Sequence, residues 1–151
     1  MNTIINDDLL KEVPLLYVIF SVDDKLGFKI IHASEACWKY KAEDGTISDL
    51  MSETVRHPLD VVDKLQEIEI PYNKPVLRFG FSKKPNSYSV RYWPDLYAGI
   101  VELYKKEHMY FTVENNAVSI PFRYDGYVLQ VRAAWDYGEA TYEFHLSRGG
   151  I

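Results

Sequence analysis

Residues 127–147 read YVLQVRAAWDYGEATYEFHLS, and this stretch decides the fold class. Apolar residues recur at every second position on both sides of Asp136, Tyr137 and Gly138, which is the period of a strand with one buried face flanking a turn. Tyr127, Leu129, Val131, Ala133 and Trp135 share one face, and Tyr142, Phe144 and Leu146 continue it on the next strand. The opposite face carries Gln130, Arg132, Thr141, Glu143 and His145. An antiparallel hairpin over 127–135 and 140–147, with one dry and one wet side, is therefore expected.

Reading outward from the hairpin, residues 109–114 and 118–124 also have strand composition. Asn115 and Asn116, then Asp125 and Gly126, supply the turns, so the four strands predict a C-terminal meander. Pro121 cannot donate to a ladder, which puts its strand at an edge or a bulge. Pro94 and Asp95 open a helix to about His108, with Leu96, Tyr97, Ile100, Leu103 and Tyr104 as its apolar stripe. Leu77, Phe79 and Phe81 alternate, and Tyr88, Val90 and Tyr92 resume the pattern past Lys84, Pro85 and Asn86, as in a second hairpin. Ile47, Leu50, Met51 and Val55 have helical spacing. So do Leu59, Val62, Leu65 and Ile68, with Pro58 placed as a first-turn proline.

Residues 34–42 read as a helix capped by Ser34 with Ala36, Cys37 and Tyr40 inward, although Trp38 and Tyr40 also alternate. Residues 15–22 and 28–33 form a first hairpin around the turn chemistry of 23–27. Leu15, Leu16, Val18 and Ile19 make its first strand apolar on both faces and so central in a sheet. Asn6, Asp7 and Asp8 start a short helix that ends near Pro14. The whole predicts an α+β fold in a single domain over 1–151. It would have a mainly antiparallel sheet, a C-terminal four-strand meander, and helices packed on one face.

The 151 residues include 12 Tyr and 22 acids against 17 Lys and Arg, a net charge of -5. That balance argues against nucleic acid as a partner, because phosphate neutralisation needs a clustered basic excess. The acidic surplus lies before residue 76, and the second half is close to balanced. Cys37 is the one cysteine, which excludes an intrachain disulfide and fits a reducing compartment. No basic n-region opens the chain, and the apolar run 15–20 is too short for a signal h-region or a membrane span. A cytoplasmic protein without membrane contact is expected.

No motif for common chemistry is present. His32, His57, His108 and His145 are isolated, and no H-x-H, H-E-x-x-H or C-x-x-C spacing suggests a metal. Cys37 lacks the electropositive surroundings that activate a thiol. There is no G-x-S-x-G, P-loop or G-x-G-x-x-G, so neither a catalytic elbow nor a cofactor is expected. Arg132, Glu143 and His145 fall on adjacent strands and could serve as anion clamp, base and acid. Their plain alternative is the solvated side of a half-buried sheet. A pocket lined by Tyr17, Tyr88, Tyr97 and Phe111 is a further possibility for a small ligand, against ordinary core packing. The acids Asp23, Asp24, Glu43, Asp44, Asp60, Asp63 and Glu67 sit at turns or outward helix positions. Capping and solubility explain them individually; together they would make a negative surface that steers a basic protein.

A small, acidic domain rich in Tyr, with strands, helices and no catalytic motif, resembles the immunity proteins of bacterial toxin systems, including those of contact-dependent growth inhibition. That resemblance implies a non-catalytic inhibitor of one cognate toxin, commonly a basic nuclease domain, held through residues such as Asp23, Asp24, Asp60, Asp63 and Glu67. A small-molecule-binding sensory domain, or a small enzyme built on the Arg132, Glu143 and His145 face, is the alternative.

Overall fold

The computed structural model describes residues 2–4, 13–22, 24–41, 47–52, 57–70, 75–98, 109–120, 125–136 and 138–148. Its strands are β1 (Asn2–Ile4), β2 (Leu16–Val22), β3 (Lys25–Ile31), β4 (Ala33–Lys41), β5 (Ile47–Ser52) and β6 (Gln66–Glu69). They continue as β7 (Val76–Phe81), β8 (Ser87–Pro94), β9 (Met109–Tyr110), β10 (Ala117–Ser119), β11 (Gly126–Trp135) and β12 (Gly138–Ser147). The hairpin expected over 127–147 is β11 and β12, paired in ten successive positions from Gly126 opposite Ser147 to Trp135 opposite Gly138.

This hairpin is the middle of a large sheet in the order β1-β5-β4-β12-β11-β8-β9, with β6 pairing parallel to the second half of β12. A smaller sheet runs β10-β7-β2-β3. One hydrophobic core joins the two. Leu16, Val18, Leu77 and Phe79 of the small sheet belong to the same buried cluster as Leu129, Val131, Tyr142 and Phe144 of the large one. Phe81 of β7 meets Trp135 and Tyr142 edge-on, at ring distances of 5.9 and 6.0 Å. Two sheets facing each other across interdigitated side chains form a β-sandwich.

The expected α+β fold is thus corrected. Among the described residues the helical elements are two 3-10 segments, Pro58–Lys64 and Asp95–Tyr97, and no helical layer covers a sheet face. The four-strand meander is corrected as well. β9 pairs β8 in the large sheet, β10 pairs β7 in the small one, and only β11 and β12 are consecutive neighbours. Asn115 and Asn116 do make the tight turn, both with positive φ, but it closes a single bridge between Glu114 and Ala117. Strands β7 and β8 exist without forming a hairpin. The link after β7 crosses between sheets, and Asn86 ties it to the far hairpin through Asp136 Oδ1 (2.7 Å) and the Ala134 carbonyl (2.8 Å).

Three expected helices are strands or 3-10 turns for identifiable reasons. Residues 34–41 fall within β4, where Ala33 and Ala36 both face the core, and residue 42 lies outside the described residues. Their spacing of three comes from a β-bulge: Tyr142 lies opposite Ala33 and Thr141 opposite Glu35, so Ser34 is the extra residue, and its hydroxyl donates to the Thr141 carbonyl at 3.2 Å. The expected helix face of Ala36, Cys37 and Tyr40 is not one face: Ala36 is buried, whereas its strand neighbour Cys37 is exposed on the opposite side. Residues 47–52 form β5, held between β4 and β1. Leu59, Val62 and Leu65 recur every third residue, which suits the three-residue turn of a 3-10 helix, and Val61 leaves helical geometry at φ -132°. Ile68 then belongs to β6. Of the helix expected from Pro94 to His108, Asp95–Tyr97 is a 3-10 turn that ends at Ala98 with ψ 133°, and the rest lies outside the described residues, as does the helix expected at 6–13 apart from Val13.

The first hairpin is present as β2 and β3, and β2 is central between β3 and β7, but the hairpin's bounds are corrected. Val22 pairs with Lys25, so residues 25–27 expected in the turn are strand, Asp24 has φ 63°, and Ala33 belongs to β4 of the other sheet. β10 is an edge strand.

Candidate functional site

The outer face of the large sheet is a grid set by strand register. Arg91, Gln130 and Glu143 lie in one row across β8, β11 and β12. The row on one side holds Trp93, Val128, His145 and Glu67; the row on the other holds Ser89, Arg132, Thr141 and Glu35.

The middle row is a buried polar relay. Arg91 Nε donates to Gln130 Oε1, and Gln130 Nε2 donates to Glu143 Oε2 at 2.9 Å. Gln130 and Glu143 are each 5% exposed, so their polar atoms have little water to turn to. The amide serves as acceptor to a cation and donor to an anion, a task its two ends perform without a change of protonation. Burial lowers the Arg91 pKa and the nearby Arg132 adds to that, against Tyr110, Glu143 and Glu35. The guanidinium also lies over the Trp93 ring, 5.1 Å from its centre.

In the Trp93 row, a second small cluster of Leu59, Trp93 and Val128 fastens the 3-10 segment Pro58–Lys64 onto the sheet, with Val62, Leu65 and Tyr97 around it. His57 starts that segment: its Nδ1 accepts from the Leu59 N–H at 3.2 Å, and its ring meets Trp93 edge-on at 4.7 Å. His145 Nε2 sits 3.0 Å from Asp95 Oδ2, and its Nδ1 is 3.8 Å from Glu67 Oε1. Leu59, Asp60, Val62, Asp63, Leu65, Glu67, Ala98 and His145 line a depression of about 630 Å³. Three exposed carboxylates, Asp60, Asp63 and Glu67, line it together with buried Leu59 and half-buried Val62 and Leu65.

The Arg132 row opens onto a smaller depression of about 390 Å³, where Arg132 and Thr141 meet Glu35, Glu139 and the exposed Cys37.

Of the residues expected to carry function, Asp60, Asp63 and Glu67 are brought together, although Glu67 stands on a strand and the other two on a 3-10 segment. Asp24 is exposed at the tip of the first hairpin in the other sheet. Asp23, Glu43 and Asp44 lie outside the described residues. Arg132, Glu143 and His145 do share a face, but in three different rows: Glu143 is buried in the relay, His145 is held by Asp95, and Arg132 faces the smaller depression. The pocket expected from Tyr17, Tyr88, Tyr97 and Phe111 is not one site. Tyr17 and Tyr88 belong to different sheets, and Phe111 stacks on Tyr92 at 3.8 Å. Arg91 and Asp95 were the residues missed. The phase of β8, with Tyr88, Val90 and Tyr92 inward, already turned Arg91 outward.

Among the described residues no cluster of His, Cys, Asp and Glu is arranged to hold a metal, and no helix is long and apolar enough to cross a membrane. No family model, curated protein or solved structure matches the chain.

Proposed function

We propose that the protein is a non-catalytic binding protein that seats a basic protein partner on the Asp60, Asp63 and Glu67 depression, as a toxin immunity protein of the cytoplasm would. The observation that carries this is that three exposed carboxylates from two different elements line one depression with the apolar side chains of Leu59, Val62 and Leu65. Such a depression suits a Lys or Arg side chain, whose stem packs on apolar surface while its head meets carboxylates. The net charge of -5 supports the same direction by speeding encounter with a basic surface. Exposed Cys37 suits a reducing compartment. The buried relay favours a scaffold over a reactive site, since Glu143 is engaged by Gln130.

The test is capture of the partner from the native host with the tagged chain, followed by association kinetics at low and high salt. Reversing Asp60, Asp63 and Glu67 together to Lys is expected to slow association at least about tenfold at low salt and to leave the dissociation rate less affected. An unchanged association rate excludes this depression as the interface.

A further inference from the structure

The outer face of the small sheet is apolar and exposed where β3 ends it. Leu26, Phe28 and Ile30 occupy alternate positions of that strand and are 82%, 63% and 38% exposed. Register sets Ser21, Ile19 and Tyr17 of β2 beside them, and Arg78 and Gly80 of β7 beyond. Among the described residues no strand pairs with the far side of β3, so its outer backbone groups stand at a sheet edge.

The other side of the same strand is basic. Lys25 and Lys29 are both exposed, they stand opposite Val22 and Val18, and Lys25–Ile31 contains no acid. Gly27 lies between them because the Phe20 ring occupies its side-chain space: a Cβ there would come within 2.9 Å of that ring. Residues 25–30 thus present an edge with an apolar side and a basic side, before Ile31 enters the core, in a chain whose net charge is negative.

We infer that β3 is a docking edge for an extended acidic segment of a partner protein. The segment adds to the small sheet as a further strand. Its apolar side chains lie along Leu26, Phe28 and Ile30, and its interleaved carboxylates lie along Lys25 and Lys29. Main-chain hydrogen bonds supply the affinity of such strand addition, and the alternating side chains supply the selection. Charge complementarity chooses this occupant over a second copy of the chain, because two β3 strands paired antiparallel about Phe28 would bring four lysines and no acid to one seam. The edge belongs to the other sheet from the acidic depression and selects the opposite charge, so it stands or falls independently of that reading.

The experiment is an NMR titration of the full chain with two blocked octapeptides, one alternating Val and Glu, the other alternating Val and Lys. The Val/Glu peptide is expected to shift the amides of β3 and slow their hydrogen exchange, and to bind about tenfold more tightly than the Val/Lys peptide. The Lys25→Glu, Lys29→Glu double variant should reverse that preference while the β11 and β12 resonances, which report the fold, stay in place. Equal affinity for the two peptides, no change at β3 with either, or perturbation centred elsewhere overturns the inference. So does a concentration-dependent dimer of the chain that Phe28→Lys abolishes, since the occupant is then a second copy.

Discussion

Gly126 shows how much one missing side chain holds in place. A Cβ at this buried position would stand 2.5 Å from Asp95 Oδ2, 2.8 Å from the Leu146 carbonyl and 3.1 Å from His145 Nε2. The glycine therefore leaves room for Asp95 and His145 to meet at 3.0 Å. The Leu146 carbonyl belongs to a paired strand and cannot move aside as a flexible side chain can. Gly126→Ala is expected to cost about 2 kcal/mol, a typical overpacking penalty, and to separate the pair. Urea unfolding gives the first quantity and His145 ring shifts the second; an unperturbed His145 with wild-type stability would contradict the packing account. Sequence alone offered Gly126 only as a turn residue beside Asp125, because its neighbours Asp95 and His145 are distant in the chain.

At the scale of elements, the 3-10 segment Pro58–Lys64 is attached to the sheet chiefly through Leu59, packed between Trp93 and Val128 away from the main core. Leu59→Ala removes most of that contact and should cost about 2 to 3 kcal/mol. The loss should be local. Hydrogen exchange is expected to accelerate across residues 57–65 while β11 and β12 keep their protection in proportion to global stability. A uniform increase over the whole chain would show that the segment is part of the main cooperative unit. The element types were legible where one period ran unbroken, as along β2, β7, β8, β11 and β12. They were misread where apolar residues fell on both faces or the period changed: Ala36, Cys37 and Tyr40 passed for one helix face although Cys37 stands exposed on β4, and the three-residue turn of 58–64 passed for an α-helix.

Across the whole molecule, Tyr142 links the two layers. It is fully buried on β12, and its hydroxyl donates to the Pro14 carbonyl, just before β2, at 2.6 Å. Burial raises its pKa above the ordinary value of 10. Above pH 10 the unfolded chain therefore releases this proton while the folded chain retains it. The unfolded state then binds fewer protons, and stability falls as pH rises. Below pH 10 the contribution is intact. Tyr142→Phe is expected to lose about 1 kcal/mol at neutral pH, with the Pro14 carbonyl left unpaired, and to show a shallower decline above pH 10. Tyr88, whose pKa is also raised by burial, remains in both proteins. Denaturation midpoints between pH 7 and 11 test this, and two parallel profiles would remove Tyr142 from the account.

The candidate sites divide along the same line. Alternation fixed that Arg132, Glu143 and His145 share a face, and composition fixed that the acids lie early in the chain, because both follow from neighbours in sequence. The order of strands in each sheet, the rows that part those three residues, and the meeting of Asp60, Asp63 and Glu67 were decided only by the tertiary structure. A strand's period states which side is buried; it does not state against which strand. That choice rests on backbone hydrogen bonds and packing between residues far apart in the chain, such as Tyr142 with Pro14 or Glu67 with His145.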